Sequence, residues 1–273
     1  MKNKVWAPSW GGLTLVAVFF LIGLLLSSMI AGALTVAGCS MELCMLISYP
    51  LMFVPCLLFV WIESRKKENV APINHKPEKF GLLALIVIPL TFAAGLVVEP
   101  LVNLLPDMPE WLEKALEANT SGNFWVNFAC VCVMAPLLEE WLCRGMILRS
   151  LVYNRVPAWL AIGISALFFA LIHGNLWQGL PAFILGVLFG YVYYKTGSIK
   201  LTMLMHFTNN FISLIISRIP AAEECETWMD LVPQPWYSVL FAFCALVLIL
   251  GIREISRVHV VDSKNVSSPL KRQ

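Results

Sequence analysis

Eight long apolar windows constrain this chain more than any other feature. Each holds about 20 mostly apolar residues, the length that a helix needs to cross the hydrocarbon core of a bilayer. Only 13% of the 273 residues are charged and 59% are hydrophobic, whereas a soluble domain carries about 25% charge. The sequence therefore predicts an all-α, polytopic membrane helix bundle with about eight transmembrane helices. In chain order, the windows cover residues 11–37, 43–62, 81–104, 124–151, 157–173, 178–195, 198–217 and 236–252.

The fifth and sixth windows are short, and only a few residues around Gly174 and Asn175 separate them. They predict either a tight helical hairpin or a partly re-entrant element. Between the third and fourth windows, residues 109–119 place apolar and charged side chains on opposite faces of a helix. That pattern predicts a helix lying along the membrane interface.

Charge is divided between the two ends of the predicted bundle. One set of connections is basic: Lys2, Lys4, Arg65, Lys66, Lys67, Lys76, Lys79, Arg149, Arg155, Lys195, Lys200, Arg253, Arg257, Lys264, Lys271 and Arg272. The opposite connections are acidic: Glu42, Asp107, Glu110, Glu113, Glu117, Glu223, Glu224, Glu226 and Asp230. Positive charge in short loops marks the cytoplasmic side. We therefore expect both termini in the cytoplasm and, for a bacterial protein, a multi-pass location in the inner (plasma) membrane.

Neither net charge nor cysteine spacing adds a further class of function. The formal net charge of +2 gives no sign of a nucleic-acid partner. The lipid bilayer is the expected environment because of the apolar windows. Cys39, Cys44 and Cys225 lie near the predicted outer loops, but their spacing alone does not support a disulfide. Cys130 and Cys132 lack a second pair of metal ligands and are interpreted as packing residues.

Three ionisable residues, Glu139, Glu140 and Arg144, interrupt the fourth window. Such residues cost about 2.5–3.5 kcal/mol each at the centre of a membrane helix, and they usually face a protein interior and have partners. Residues four apart share a helix face, so Glu140 and Arg144 are expected to form a structural ion pair. Adjacent residues diverge by about 100°, which leaves Glu139 as the carboxylate free for chemistry.

Polar side chains in two later windows are candidate partners for Glu139. His173 ends the fifth window, and His206 and Asn210 lie one helical turn apart in the seventh. For straight, upright helices, His206 and Glu139 lie roughly 12 and 15 Å from the cytoplasmic end, and His173 roughly 24 Å. A shared site therefore requires tilted helices or a broken hairpin that brings His173 level with the other two.

Two hydrolytic schemes use these residues. In the first, Glu139 accepts a proton from water that His173 positions, and His206 and Asn210 donate hydrogen bonds to the oxyanion. In the second, Glu139, His173 and His206 bind zinc, and a metal-bound water is the nucleophile. A non-catalytic alternative is a transport path, or a binding site for a peptide or a prenyl chain.

The same residues resemble the signature of the CPBP family. That family comprises CAAX prenyl endopeptidases of the Ras-converting type and bacterial proteins linked to bacteriocin processing and self-immunity. Its pattern is Glu-Glu-x-x-x-Arg, Phe-x-x-x-His and His-x-x-x-Asn/Asp on successive membrane helices. The matching positions are Glu139, Glu140 and Arg144 in the first motif, Phe169 and His173 in the second, and His206 and Asn210 in the third.

The resemblance implies an intramembrane endopeptidase with a conical active-site cavity and a peptide or membrane-protein substrate. It implies that Glu139 and His173 activate water, that His206 and Asn210 bind the oxyanion, and that Glu140 supports the site through Arg144. Members have been described both as metalloproteases and as metal-independent enzymes, so zinc stays an open cofactor at this point. We therefore divide the chain into N-terminal helices (1–121), a catalytic core (122–217), and a last helix with a cytoplasmic tail (218–273).

Overall fold

The computed structural model describes residues 3–66, 69–219 and 227–258, and these form a bundle of helices with one small two-stranded sheet. The predicted charges at Lys2, Lys67, Glu223, Glu224, Glu226, Lys264, Lys271 and Arg272, and Cys225, lie outside the described residues. In chain order, the elements are β1 (Asn3–Trp6), α1 (Trp10–Val36), α2 (Met41–Leu51), α3 (Val54–Ser64), β2 (Val70–Ile73), α4 (Phe80–Val102), α5 (Glu110–Ser121), α6 (Phe124–Tyr153), α7 (Ala158–Leu171), α8 (Leu176–Thr196), α9 (Ile199–Ile216), α10 (Trp228–Leu231) and α11 (Trp236–Ser256).

All eight apolar windows are helical, which confirms the predicted polytopic bundle. Within the described residues, seven spans are long and apolar enough to cross a membrane, counting α2 and α3 as one. The fifth window is the exception, because α7 has only 14 residues. A helix of that length rises about 21 Å, which is less than the roughly 30 Å of a hydrocarbon core.

Helices α7 and α8 form the predicted tight hairpin. Gly174 turns the chain between them with φ of +69°, a left-handed conformation that suits glycine. Glycines along α8 lie against α7, and this brings the two backbones close together. A Cβ on Gly186 would lie 3.2 Å from Ala166, and one on Gly179 would lie 3.4 Å from the Ala170 carbonyl oxygen. Small residues allow this close approach between membrane helices.

The second apolar window is broken between α2 and α3. Pro50 lies in the last turn of α2 and Pro55 in the first turn of α3, and a proline cannot continue the backbone hydrogen bonding of a helix. Helix α1 packs directly on the break, where the Ser27 hydroxyl donates to the Ser48 carbonyl oxygen at 2.6 Å. The break also places the end of α2 beside α6.

Helix α6, which carries the ionisable motif, is not a uniform α-helix. Phe128–Met134 and Trp141–Leu148 are π-helical, and they flank a short α-helical stretch, Ala135–Glu140. Such segments are rare and occur frequently at functional sites. The motif therefore spans the junction between the α-helical stretch and the second π-helical segment.

One end of the bundle gathers the basic connections. Strand β1 pairs antiparallel with β2. Arg149, after the motif, donates to the Trp6 carbonyl oxygen at 2.6 Å, and the Asn74 amide donates to that of Thr196 at 3.2 Å. We call this the basic end. These contacts confirm, for the described residues, that the basic connections share one end.

The opposite end, which we call the acidic end, is joined by different contacts. The Trp177 indole donates to the Pro106 carbonyl oxygen at 2.8 Å, and Arg218 donates to that of Gly122 at 2.7 Å. Helix α5 lies at this end and covers most of the predicted interfacial segment, with Leu112 buried and Trp111 exposed. The described cysteines are free thiols.

We expect Gly23→Ala to destabilise the protein. A Cβ on Gly23 would lie 2.0 Å from the Met52 carbonyl oxygen, so α1 would have to move away from the break between α2 and α3. Overpacking of this kind costs about 1–3 kcal/mol. Thermal unfolding of the purified protein in detergent measures the effect as a lower Tm.

The matched control is Gly32→Ala on the same helix, where a Cβ meets no atom within 4 Å. This variant should keep or slightly raise the Tm, since alanine is the better helix former. Equal Tm values for the two variants would contradict the close packing of α1 on the break.

Candidate active site

A buried ion pair lies at the centre of the site. Arg144 Nη1 is 2.7 Å from Glu140 Oε1, and both side chains are 0% exposed. Arg144 Nη2 also donates to the Gly186 carbonyl oxygen of α8 at 2.8 Å, and its guanidinium lies 4.6 Å from the centre of the Phe169 ring. The predicted structural pair is therefore confirmed, and it joins α6 to both helices of the hairpin.

His206 is the third member of this cluster. Its Nδ1 atom lies 3.2 Å from Glu140 Oε1, and the residue is 3% exposed. A carboxylate paired with a guanidinium accepts hydrogen bonds only, so we assign the ring proton to Nδ1. The Nε2 atom then carries a lone pair in the neutral ring and an N–H group in the imidazolium.

His173 lies in the turn that follows α7. Its Nδ1 atom is 2.8 Å from the Phe169 carbonyl oxygen. Because a carbonyl oxygen can only accept a hydrogen bond, we assign the ring proton to Nδ1. In the neutral ring, Nε2 is therefore a free base. The Phe169 ring lies edge-on to both histidines, with centroid distances of 5.2 Å to His173 and 5.3 Å to His206.

Asn210 connects α9 to the first π-helical segment of α6. Its amide nitrogen donates to the Val131 carbonyl oxygen at 2.8 Å, and its side-chain oxygen accepts from Asn209 at 3.2 Å. An amide carries two N–H groups, and the bond to Val131 uses one of them.

His173, His206 and Asn210 line one cavity of about 500 Å³ between α4, α8 and α9. Much of the remaining wall is apolar and includes Phe169 and Phe189. The hairpin therefore brings His173 to the same cavity as His206, although straight, upright helices would place the two residues at different depths in the membrane. Three of the four residues predicted to react share this cavity.

Glu139 is placed differently from the other three. The residue is 8% exposed, and its carboxylate accepts a hydrogen bond from the Tyr49 hydroxyl of α2 through Oε1. Oε2 has no hydrogen-bond partner among the described residues, and Glu139 is not among those that line the cavity. Adjacent residues on a helix point in different directions. Because the side chain of Glu140 points toward His206, that of Glu139 points toward α2.

Tyr49 is a site residue that the sequence pattern did not identify. It precedes Pro50 inside the second apolar window, where a tyrosine is an ordinary amphipathic residue. Its position before a proline was the available signal, because the break at that proline turns the end of α2 toward α6.

The residues proposed as zinc ligands do not fit a metal. In the part of the chain that the structure describes, no group of three or more His, Cys, Asp or Glu side chains could hold an ion. One oxygen of Glu139 is bound by Tyr49, and Nδ1 of His206 faces Glu140. A His₂Glu zinc site requires these groups to converge on one point, and in this arrangement they do not.

Comparison with known families matches the segment that contains this cluster. Residues 121–212, about a third of the chain, match the family model described as type II CAAX prenyl endopeptidase Rce1-like. Comparison with curated proteins and with solved structures gives no match. The matched segment includes Glu139, Glu140, Arg144, Phe169, His173, His206 and Asn210, which confirms the resemblance seen in the sequence. Through this segment, the chain is similar to the Rce1-like family of type II CAAX prenyl endopeptidases.

Proposed function

We propose that this protein is an intramembrane endopeptidase that hydrolyses a peptide bond with a water molecule activated by side chains. The observation that carries the proposal is the shared cavity: His173, His206 and Asn210 line it together inside the matched segment. Apolar walls with a few convergent polar groups are typical of a substrate site. A polypeptide segment that enters from the bilayer or its surface is the substrate of this reaction.

The geometry favours His173 as a base for water. Its Nε2 atom is left free by the bond from Nδ1 to Phe169. The water oxygen attacks the carbonyl carbon of the scissile bond while His173 takes the proton. When the C–N bond breaks, the same proton passes to the leaving amine, so that a carboxylic acid and an amine are released.

His206 and Asn210 are the proposed donors to the oxyanion of the tetrahedral intermediate. His206 can donate from Nε2 only as an imidazolium, because Nδ1 already faces Glu140. The Glu140 carboxylate, itself paired with Arg144, lies beside that ring. Asn210 contributes the N–H group that Val131 does not use. Glu140 thus supports the reaction through His206 without contacting substrate.

Glu139 is proposed as a second group that activates water, as the family resemblance implies. Its Oε2 atom has no hydrogen-bond partner among the described residues. Since Glu139 faces α2 in this structure, a direct role requires its side chain to turn toward the cavity and its bond from Tyr49 to open. Substitutions of these two residues test that requirement.

Alanine at each cavity residue should remove most of the activity. We expect His173→Ala to lower kcat by about 10²–10⁴-fold, as for loss of a general base. His206→Ala should lower it by about 10²–10³-fold, as for loss of an oxyanion donor. The measurement is cleavage of a peptide library by the purified protein in detergent, read by mass spectrometry.

The matched control is His75→Ala, because His75 lies outside the cavity near the basic end. This variant should keep wild-type activity. Unchanged cleavage in both His173→Ala and His206→Ala would contradict the proposed mechanism. Absence of cleavage by the wild-type protein with every peptide would instead favour a non-catalytic binding or transport role.

Glu139→Gln and Tyr49→Phe distinguish a reacting carboxylate from a structural one. A glutamine oxygen can still accept the Tyr49 hydrogen bond but cannot accept a proton, so a catalytic Glu139 predicts a loss of about 10²-fold or more in kcat. Tyr49→Phe frees the carboxylate and should leave kcat equal or higher. Full activity in Glu139→Gln, together with lower thermal stability in Tyr49→Phe, would assign Glu139 a structural role.

A further inference from the structure

We infer that the cavity is entered from the non-cytoplasmic side of the membrane, and that it takes an internal polypeptide segment exposed on that side. This inference rests on the proposed function for its substrate. It differs from the expectation that the family description alone would give, which is cleavage near a prenylated C-terminus. Two independent observations support it: the direction of the cavity and the charge of its lining.

The cavity runs from the middle of the bundle to the acidic end. Its lining begins at Phe189 and His206 and reaches Asn103, Trp177 and Ile216. Asn103 follows the last residue of α4, Ile216 ends α9, and Trp177 lies in the first turn of α8. These helix ends lie opposite β1 and β2, because α4 begins just after β2 and α8 ends beside Asn74.

The charge distribution orients this mouth in the membrane. The basic connections lie at the end with β1 and β2, where Arg149 binds Trp6. Positive charge in short loops marks the cytoplasmic side, so the mouth faces the other compartment. A prenylated C-terminal tail is held at the cytoplasmic leaflet, and the length of the bundle would separate it from this mouth.

The charge of Glu99 disfavours a free C-terminus for a second reason, which does not depend on the side of the membrane. Glu99 is the one carboxylate among the described lining residues, and none of them is Lys or Arg. Glu99 is fixed there by hydrogen bonds from the Trp228 backbone N–H and the Tyr237 hydroxyl. The proposed donors of this cavity, His206 and Asn210, lie deeper and bind the oxyanion, whereas Glu99 would repel a terminal carboxylate that enters at the mouth. Neutral or cationic segments meet no such penalty.

Cysteine labelling tests the orientation without any need for activity. Cys39 and Cys225 are first replaced by serine, and a single cysteine is then introduced as Asn103→Cys or Lys76→Cys, both at exposed positions. A membrane-impermeant maleimide should label Asn103→Cys in intact cells and Lys76→Cys only after permeabilisation. The reverse pattern would overturn the inferred direction of entry, whether or not the protein is a peptidase.

Matched peptides test the substrate. Two peptides of one sequence, ending in a carboxylate or in an amide close to the scissile bond, are offered to the purified protein. The amide should have the higher kcat/KM, by about tenfold, and Glu99→Gln should narrow this difference. Glu78→Gln removes an equivalent charge at the basic end and should leave the difference unchanged.

The outcomes separate this inference from the proposed function. Faster cleavage of the free acid by the wild-type protein would overturn the inferred substrate and leave the peptidase activity standing. An equal preference in the wild-type protein and Glu99→Gln would overturn the role of Glu99. If the wild-type protein cleaves neither peptide nor any library member, both the proposed function and the inferred substrate class are overturned. The labelling result still decides the direction of entry.

Discussion

The carboxylate of Glu140 is the group on which the rest of the site depends. It is fully buried and holds Arg144 on its own helix and His206 on α9, while Arg144 reaches α8 through the Gly186 carbonyl oxygen. Breaking a buried pair by removing one partner typically costs about 3–5 kcal/mol, because it leaves a charge without compensation. The cluster therefore fixes the relative positions of three helices and faces Nδ1 of the His206 ring toward Glu140.

The direction of Glu140 has consequences for both carboxylates of the motif. Since Glu140 faces His206, its neighbour Glu139 must face elsewhere, and Tyr49 on α2 meets it there. The pair of glutamates thus links the matched segment to an N-terminal helix that the family model does not cover. A single step along α6 therefore separates the carboxylate that faces His206 from the carboxylate that meets α2.

Much of this arrangement follows from sequence patterns that depend on simple geometry. The apolar windows, the one-sided distribution of basic residues and the four-residue spacing of Glu140 and Arg144 each predict one observed feature. The close packing of α7 on α8, the π-helical segments of α6 and the contact of Tyr49 with Glu139 do not follow in this way. They depend on tertiary packing: glycines on α8 against α7, and a proline break beside α6, whose partners are distant in sequence.

The short α7 also has a consequence for the lipid around the protein. With about 21 Å of helix, the hairpin turn lies below the level at which a full span would end, and Asn175 caps α8 there through the Gln178 backbone N–H at 2.8 Å. Bilayers adapt to a short hydrophobic element by thinning beside it. His173 sits in this turn, so in the proposed peptidase the thinned bilayer would lie beside the group that takes the proton from water.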